Sequence, residues 1–299
     1  MSPTFKAHIS LFAAQVIYAL NYSIAKDLMP NHISPFGLVM MRVGGAFILF
    51  WLISFALKPE KVEKKDLKKL MLLALFGVSV NQIFFLWGLS LSTPINSAII
   101  MVSNPIAVML FTGFILKENI TSIKLTGLGF GICGALTLLL FKANGNFYIG
   151  SETITGDIMT LINSLSWAAF VVMAKPFMQK YQTVTVMKWV FLFGFIYVFP
   201  IGFPDLFKVD WIHLQSQTIF AMAFVVIATT FLVYLLNMFA LKSLSSSVVS
   251  MYIYLQPFLA TLIAVAWGKD TLSPIKLVSA GFIITGVYLA GKKEKIKSI

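Results

Sequence analysis

The stretch Ser97-Ala-Ile-Ile-Met-Val-Ser-Asn-Pro105 opens a segment, ending at Gly134, that occurs twice in the chain. An ungapped match over about forty residues indicates an internal duplication. A weaker match at a shift of 149 extends the duplication towards the front of each copy, placing Tyr18-Ala19 on Trp167-Ala168 and Ala25-Lys26 on Ala174-Lys175. At a shift of 152 the matches are Pro105 with Pro257, Lys117-Glu118 with Lys269-Asp270, Ile123-Lys124-Leu125 with Ile275-Lys276-Leu277, Gly129-Phe130 with Gly281-Phe282, and Gly134 with Gly286.

The composition is that of a polytopic membrane protein. Of 299 residues, 59% are hydrophobic and 11% are charged, with a mean hydropathy of +0.88, whereas a soluble protein carries about 25% charged residues. The net charge of +12 comes from lysines between apolar segments, which favours a membrane-topology signal over nucleic-acid binding. A single cysteine, Cys133, excludes an internal disulfide. Three scattered histidines predict neither a metal site nor a cofactor.

About twenty apolar residues are needed to cross a bilayer, and ten segments of the chain meet this requirement. Ser34-Pro35 and Ser273-Pro274 each place a capping serine before a proline suited to a first helical turn. With ten spans, seventeen lysines fall on one side of the membrane and five on the other, so we expect both termini to be cytoplasmic. The segments are approximately 7–26, 34–57, 67–91, 94–116, 121–141, 157–176, 184–203, 217–241, 245–267 and 273–291.

The duplication and the span count together predict an all-α fold of two repeats, residues 1–145 with helices 1–5 and residues 146–299 with helices 6–10. Because five spans per repeat is an odd number, the second repeat must enter the membrane from the opposite side. Two inverted repeats are the architecture of secondary transporters, whose substrate sites lie near the midplane between them.

The chain resembles the drug/metabolite transporter superfamily, in its ten-helix branch with two EamA-type repeats. The resemblance covers essentially the whole chain and departs at Asp270, where glutamate is usual, and at Tyr18, where tryptophan is commoner. It implies export or exchange of small metabolites, often amino acids, at the bacterial cytoplasmic membrane. The residues that carry it are Tyr18 to Lys26, Arg42, the proline-centred fourth helix ending in Lys117-Glu118, the glycine-rich fifth helix, and Trp167, Lys175, Pro257 and Gly286 in the second copy.

Polar side chains inside the spans have no partner in lipid, so they should face the bundle interior or a wet cavity. We predict a central pocket between helices 1, 3, 4, 6, 8 and 9, with an apolar wall that includes Phe85. Alternatively, the same side chains hold helices together through interhelical hydrogen bonds. The predicted substrate-binding residues are Tyr18, Asn21, Asn81, Gln82, Ser97, Met101, Trp167, Thr230, Tyr234, Asn237, Ser250 and Tyr254.

Two prolines and one arginine stand out within the spans. Pro105 and Pro257 sit at matching depths, which predicts facing kinks that act as hinges or as fixed bends. Arg42, the only arginine, lies roughly 12 Å into the second span at about 1.5 Å per residue. It is interpreted as an anion contact, as one half of an outer-gate ion pair with Asp27, as a structural clamp, or as a side chain that snorkels to the interface.

None of the eleven acidic residues lies at the centre of a predicted span, so we expect facilitated diffusion or exchange rather than proton coupling through a buried carboxylate. The spans also lack a nucleophile and base set, so no enzymatic activity is expected. The prediction is a transporter that moves small organic metabolites, amino acids or related compounds, outward by alternating access. The alternative on the same fold is a nucleotide-sugar or phosphorylated-metabolite exchanger. The expected partners are the small-molecule substrate and the lipid bilayer, and the Gly127/Gly131 pair allows a homodimer.

Overall fold

The computed structural model describes residues 2–117, 120–142, 153–266 and 273–291, and these contain helices and turns but no strand. The repeated Glu118, Lys269 and Asp270, and the predicted junction between the repeats at residues 145 and 146, lie outside the described residues.

The described residues form ten helical rods, in agreement with the sequence prediction. Two rods contain a π-helical turn and two are interrupted near the middle. In chain order they are α1 (Pro3–Leu28), α2 (Pro35–Phe55), α3 (Lys64–Leu91, with a π-turn at Leu75–Val80), α4 (Pro94–Met101 and Asn104–Ile115), α5 (Ser122–Lys142), α6 (Ile154–Lys180), α7 (Thr183–Leu206), α8 (Ser216–Ser243, with a π-turn at Ile227–Leu232), α9 (Ser246–Met251, a 3-10 turn at Tyr252–Tyr254, and Leu255–Ala266) and α10 (Pro274–Gly291).

Within the described residues, seven helices are long and apolar enough to cross a membrane: α2, α3, α4, α6, α7, α8 and α9. Shorter apolar segments occupy α5 and α10, and the 26 residues of α1 include polar side chains such as Gln15 and Asn21. Large apolar side chains cover the outer surface, and Leu110 and Phe114 are 61% and 86% exposed. Such a continuous apolar exterior fits contact with lipid rather than water.

Local sequence explains where several helices begin. Ser34 Oγ accepts a 3.0 Å hydrogen bond from the Gly37 amide with Pro35 in the first turn, as predicted. Thr93 caps α4 in the same way at 3.1 Å, again before a proline. At the other predicted cap, α10 begins at Pro274 as expected and the Leu277 amide donates to the Ser273 carbonyl at 3.2 Å, but Ser273 Oγ is buried without a hydrogen-bond partner among the described residues, so its side chain does not cap the helix.

The helices pair in a pattern that is symmetric between the repeats. The pairs α2 with α7 and α5 with α10 each join equivalent helices. When each helix is replaced by its equivalent in the other repeat, the other major pairs are converted into one another. The pair α1 with α8 corresponds to α6 with α3, and α1 with α9 corresponds to α6 with α4. This is the pairing expected for two inverted repeats related by a pseudo-two-fold axis.

Three contacts join residues that are 152 positions apart and so mark this axis. The Gln82 amide donates to Tyr234 Oη at 3.1 Å. Tyr254 Oη donates to the Val102 carbonyl at 3.4 Å. The Phe130 and Phe282 rings stack with centroids 5.3 Å apart. Each residue therefore meets the residue that occupies its own position in the other repeat.

The helix irregularities also repeat. The π-turn of α3 begins at Leu75 and that of α8 at Ile227, again 152 positions apart. The interruption of α4 comes just before Pro105, and the 3-10 turn of α9 comes just before Pro257. Both prolines thus lie in the first turn of a new helical segment, where a missing N–H costs little.

A lysine satisfies the carbonyl end of one helix in each repeat. Lys26 Nζ donates to Leu89 O, Ser90 O and Ser92 O at 2.8 to 3.0 Å. Its equivalent, Lys175, donates to Leu241 O at 2.6 Å and to Leu244 O at 2.8 Å. A cation at a helix C-terminus satisfies free carbonyls and complements the helix dipole. These lysines therefore hold α1 to α3 and α6 to α8, and this explains their repetition in the sequence.

An ionic cluster joins α6 to the start of α3. Lys180 Nζ donates to Asp66 Oδ2 at 2.7 Å and to Glu63 Oε1 at 2.5 Å. Tyr181 Oη donates to the same Asp66 oxygen at 2.8 Å. Hydrogen bonding from Lys180 lowers the pKa of the Glu63 carboxyl, so the cluster remains charged at neutral pH.

Candidate functional site

A polar cavity lies at the centre of the bundle, between the two repeats. The space open to the centre of a water-sized sphere is about 50 Å³, enough for a few waters or part of a small solute. Seven helices contribute to its wall, namely the six predicted ones and α2, which adds Arg42. The lining residues are Tyr18, Asn21, Tyr22, Arg42, Asn81, Gln82, Phe85, Met101, Asn163, Trp167, Tyr234, Ile253 and Gln256.

The structure brings seven of the twelve predicted substrate-binding residues to this cavity: Tyr18, Asn21, Asn81, Gln82, Met101, Trp167 and Tyr234. The other five, Ser97, Thr230, Asn237, Ser250 and Tyr254, lie outside its lining. Phe85, predicted in the apolar wall, also lines the cavity. Three lining residues stood outside the predicted contacts although each is a polar side chain within a span: Tyr22, Asn163 and Gln256. Ile253 also stood outside them, although it is the equivalent of the predicted Met101 at the shift of 152.

Tyr234 is the hub of the cavity wall. Its hydroxyl accepts from Gln82 Nε2 at 3.1 Å and donates to the Gly77 carbonyl at 2.6 Å. The π-turn of α3 contains Gly77, and such a turn leaves a carbonyl without its usual helical donor. The ring makes T-shaped contacts with Trp167 and Phe191, at centroid distances of 5.3 and 5.0 Å. Tyr234 therefore provides a hydrogen-bond donor for the free Gly77 carbonyl of the π-turn and forms one side of the cavity wall.

The polar residues outside the cavity bond within the helix bundle. Asn237 Nδ2 donates to the Val233 carbonyl of its own helix at 2.9 Å, and Ser250 Oγ donates to the Ser247 carbonyl at 2.9 Å. Ser97 Oγ lies 3.5 Å from Thr160 Oγ1 of α6. Tyr254 packs so closely on Gly131 that a Cβ there would lie 2.2 Å from its ring. For Ser97 and Tyr254 the geometry matches the alternative role of joining helices, whereas Asn237 and Ser250 bond to carbonyls of their own helices.

Arg42 is 2% exposed and has a single hydrogen-bond partner at its Nε. That nitrogen donates to Thr230 Oγ1 at 2.8 Å, and Thr230 in turn donates to the Val225 carbonyl beside the π-turn of α8. Nη1 of Arg42 is buried without a partner. The ion pairs found among the described residues do not include the expected pair with Asp27, which lies exposed near the end of α1.

Two asparagines leave hydrogen-bonding capacity unused at the cavity. Both amide atoms of Asn21, which is 1% exposed, lack a partner. Asn163 Nδ2 donates to the Asn81 carbonyl at 2.8 Å, but its Oδ1 has no partner. Buried polar groups are normally satisfied, so free donors and acceptors around one cavity are the chemistry expected of a ligand site.

A second cavity, here called the side cavity, continues from the central one towards the C-terminal end of α1. The two share Tyr22 and Gln256, and the space in the side cavity open to a water-sized sphere is about 90 Å³. Gln256 Nε2 donates to Gln15 Oε1 at 2.7 Å beneath it. The side cavity is lined by Ala19, Tyr22, Ser23, Pro94, Ala98, Leu139, Gln256, Pro257, Ala260 and Thr261.

The equivalent positions on the other side of the membrane are tightly packed. Ala19 and Ser23 correspond to Ala168 and Val172, which are fully buried, and Ala260 corresponds to the fully buried Val108. Ser250, the equivalent of the half-buried Ala98, is also fully buried. The repeats therefore follow one sequence pattern but not one packing, and among the described residues the central cavity continues towards the side of Ser23 and Pro94 rather than towards Val172 and Val108.

Two inverted helical repeats around a central cavity lined by polar and aromatic side chains are the architecture of membrane transporters. The EamA-like transporter family matches residues 5–140 and 154–291, so the chain belongs to that family and is a multi-pass membrane protein.

Several relatives align with this chain over most of their length. An uncharacterized transporter of Archaeoglobus fulgidus is 25% identical, over 97% of this chain and 98% of its own. Uncharacterized transporter YetK of Bacillus subtilis is 22% identical over 97% and 88%. A WAT1-related protein of Arabidopsis thaliana is 26% identical over 93% and 78%. One crystal structure superposes with a TM-score of 0.76 over 97% of this chain at 17% identity, which supports the fold alone.

Proposed function

We propose that this protein is a secondary transporter that moves small organic metabolites, amino acids or related compounds, out across the bacterial cytoplasmic membrane. The observation that supports the proposal is the central cavity between the two repeats, lined by polar and aromatic side chains, with buried donors and acceptors left free on Arg42, Asn21 and Asn163. Substrate would bind there through polar groups, and Tyr18, Met101 and Trp167 would contact its apolar part.

Alternating access is the proposed mechanism. The side cavity is open, whereas its pseudo-symmetric counterpart around Ala168 and Val108 is packed. If the repeats exchange their packing arrangements, the open side closes and the packed side opens around the same central site. Pro105 and Pro257 follow the symmetric helix interruptions, which makes these positions the proposed hinges.

The proposed orientation follows from the lysine distribution. The positive-inside rule assigns the lysine-rich loops, including residues 58–69, to the cytoplasm. The side cavity lies at the opposite ends of the helices, near Pro94 and Ser23, so it would face the outside. In this arrangement the structure corresponds to the outward-facing state.

We also propose that transport does not depend on proton coupling through an intramembrane carboxylate. The residues that line the central cavity include no aspartate, glutamate or histidine. Proton-coupled carriers generally use such a group, so uniport or exchange fits this lining better.

The direct test is substrate-dependent flux in proteoliposomes loaded with a mixture of bacterial metabolites, followed by mass spectrometry of the released solutes. We expect selective release of a few small metabolites compared with protein-free liposomes. Met101→Trp should block this release by filling the cavity, whereas Met71→Trp, at a position 40% exposed on the surface of α3, should not. Release equal to that of protein-free liposomes for every solute would contradict transport.

A further inference from the structure

Arg42 presents a buried cation without a counter-ion. The guanidinium lines the central cavity, Nε is bonded to the neutral Thr230 hydroxyl, and Nη1 is free. No ion pair of Arg42 occurs within the described parts of the chain. A desolvated charge in a membrane protein carries a large free-energy cost unless it is paired or hydrated. This cost is borne at the central cavity, where a solute can bind.

The groups around Arg42 suit an anion. Asn21, at 1% exposure, has an unpaired amide donor and an unpaired acceptor, and Tyr18 lines the same cavity. The guanidinium can bind a carboxylate through two parallel hydrogen bonds. Its Nε is already bonded, so the Nη groups would make this contact.

The rest of the lining suits an apolar body without a positive charge. Tyr22, Phe85 and Trp167 supply aromatic surface, and Met101 and Ile253 supply aliphatic surface. The lining contains no carboxylate that could pair with a substrate ammonium group. A solute with one carboxylate and an apolar remainder would therefore satisfy both the charge and the surface of the cavity.

We propose that the central cavity binds small organic acids as monoanions, with the carboxylate on Arg42 and Asn21 and the apolar part against the aromatic wall. This inference rests on the proposed transport function and narrows its substrate class from amino acids and related compounds to organic acids that lack an ammonium group. It also supplies a driving force. An inside-negative potential of about 100 mV favours the outward distribution of a monovalent anion by about fifty-fold, so export needs no coupling ion.

The test uses three probes of nearly equal shape: phenylacetate, phenylacetamide and 2-phenylethylammonium. Their dissociation constants come from the dose-dependent rise in the unfolding temperature of the purified protein. We expect phenylacetate to bind at least about ten-fold more tightly than phenylacetamide, because its bonds to Arg42 are charge-assisted. The ammonium probe should bind more weakly than both.

Matched variants assign the preference to Arg42. Arg42→Gln should abolish the difference between acid and amide, and Arg42→Lys should retain part of it. Lys58→Gln removes one positive charge from an exposed loop position and should leave the difference unchanged. If Arg42→Gln does not fold, a pH series on the unaltered protein replaces it. As the pH falls from about 6 to about 3, it passes the carboxyl pKa and phenylacetate becomes protonated. Phenylacetate should then lose affinity, whereas phenylacetamide should not.

Equal binding of the acid and the amide, no binding of either, or a preference that survives Arg42→Gln would each overturn the anion site. These outcomes differ from failure of the proposed transport function. Proteoliposomes that release only neutral or cationic metabolites would retain the function and reject the anion site. Carboxylate binding in detergent without any flux would retain the site and reject transport.

Discussion

At the scale of single residues, burial of a polar group does not by itself identify a ligand contact. Asn21 and Asn237 are both amides in spans and are 1% and 3% exposed. The Asn237 amide donates a hydrogen bond to a carbonyl of its own helix, whereas neither the donor nor the acceptor atom of the Asn21 amide has a partner. The free atoms, rather than the burial, make Asn21 the better candidate for a substrate contact.

The Tyr234 hydroxyl is expected to support both stability and transport. Tyr234→Phe removes the 2.6 Å bond to the Gly77 carbonyl and leaves that buried acceptor unsatisfied. We expect a loss of about 1–3 kcal/mol in the free energy of unfolding and reduced flux per folded molecule. Thermal unfolding of the purified protein and flux in proteoliposomes measure the two effects.

Tyr288→Phe is the matched control, since its side chain is 68% exposed on α10. This change should alter the free energy of unfolding by no more than about 0.5 kcal/mol. Equal effects of the two substitutions would show that the Tyr234 hydroxyl contributes nothing at its site.

At the scale of elements, small residues determine how α5 and α10 pack. A Cβ on Gly286 would lie 2.7 Å from both the Gly127 carbonyl oxygen and the Gly131 amide nitrogen. A Cβ on Gly127 would lie 2.8 Å from the Gly286 carbonyl oxygen. The Gly127/Gly131 face is thus occupied within the chain, and its close approach depends on the missing side chains.

Gly286→Ala should destabilise the protein by about 1–3 kcal/mol, because its new methyl group meets backbone that cannot move aside like a side chain. Gly281 is the internal control, since a Cβ there would meet nothing within 4 Å. Gly281→Ala should be neutral or stabilising by up to about 1 kcal/mol, from the better helix propensity of alanine. The unfolding temperatures of the two variants provide the comparison, and a similar decrease in both would contradict the packing described here.

At the scale of the whole molecule, the two repeats pack differently around one site. Ala98 is half-buried and lines the side cavity, whereas Ser250 at the equivalent position is fully buried. A transporter that alternates between two such arrangements needs a marginal free-energy difference between them. Substrate binding would then redistribute the two states rather than create a new one.

Cysteine labelling tests this asymmetry. Ala98→Cys and Ser250→Cys, each made in a Cys133→Ser background because Cys133 is exposed, occupy equivalent positions in the two repeats. A charged methanethiosulfonate reagent should modify the first at least about ten-fold faster in purified protein, since the reactive thiolate forms readily only where water reaches. In intact cells the same reagent should reach Ala98→Cys from outside. Equal rates in purified protein would refute the asymmetric packing.

The sequence alone determined the architecture and the composition of the central region. The 152-residue shift, the ten apolar segments and the lysine bias predicted two inverted five-helix repeats, because membrane thickness and the cost of charge in lipid leave few alternatives. Amides and tyrosines within the spans predicted much of the cavity lining, since lipid offers them no partner.

Tertiary structure decided what periodicity and repetition do not encode. The π-turn that directs the Gly77 carbonyl to Tyr234 depends on packing between helices far apart in sequence, as does the hydrogen bond from Arg42 to Thr230 rather than a pair with Asp27. The contrast between the open side cavity and the packed region around Val108 also lies beyond sequence. Two copies of one sequence pattern are equally compatible with an open cavity on either side of the membrane. Only the packing of the helices against one another determines which side is open.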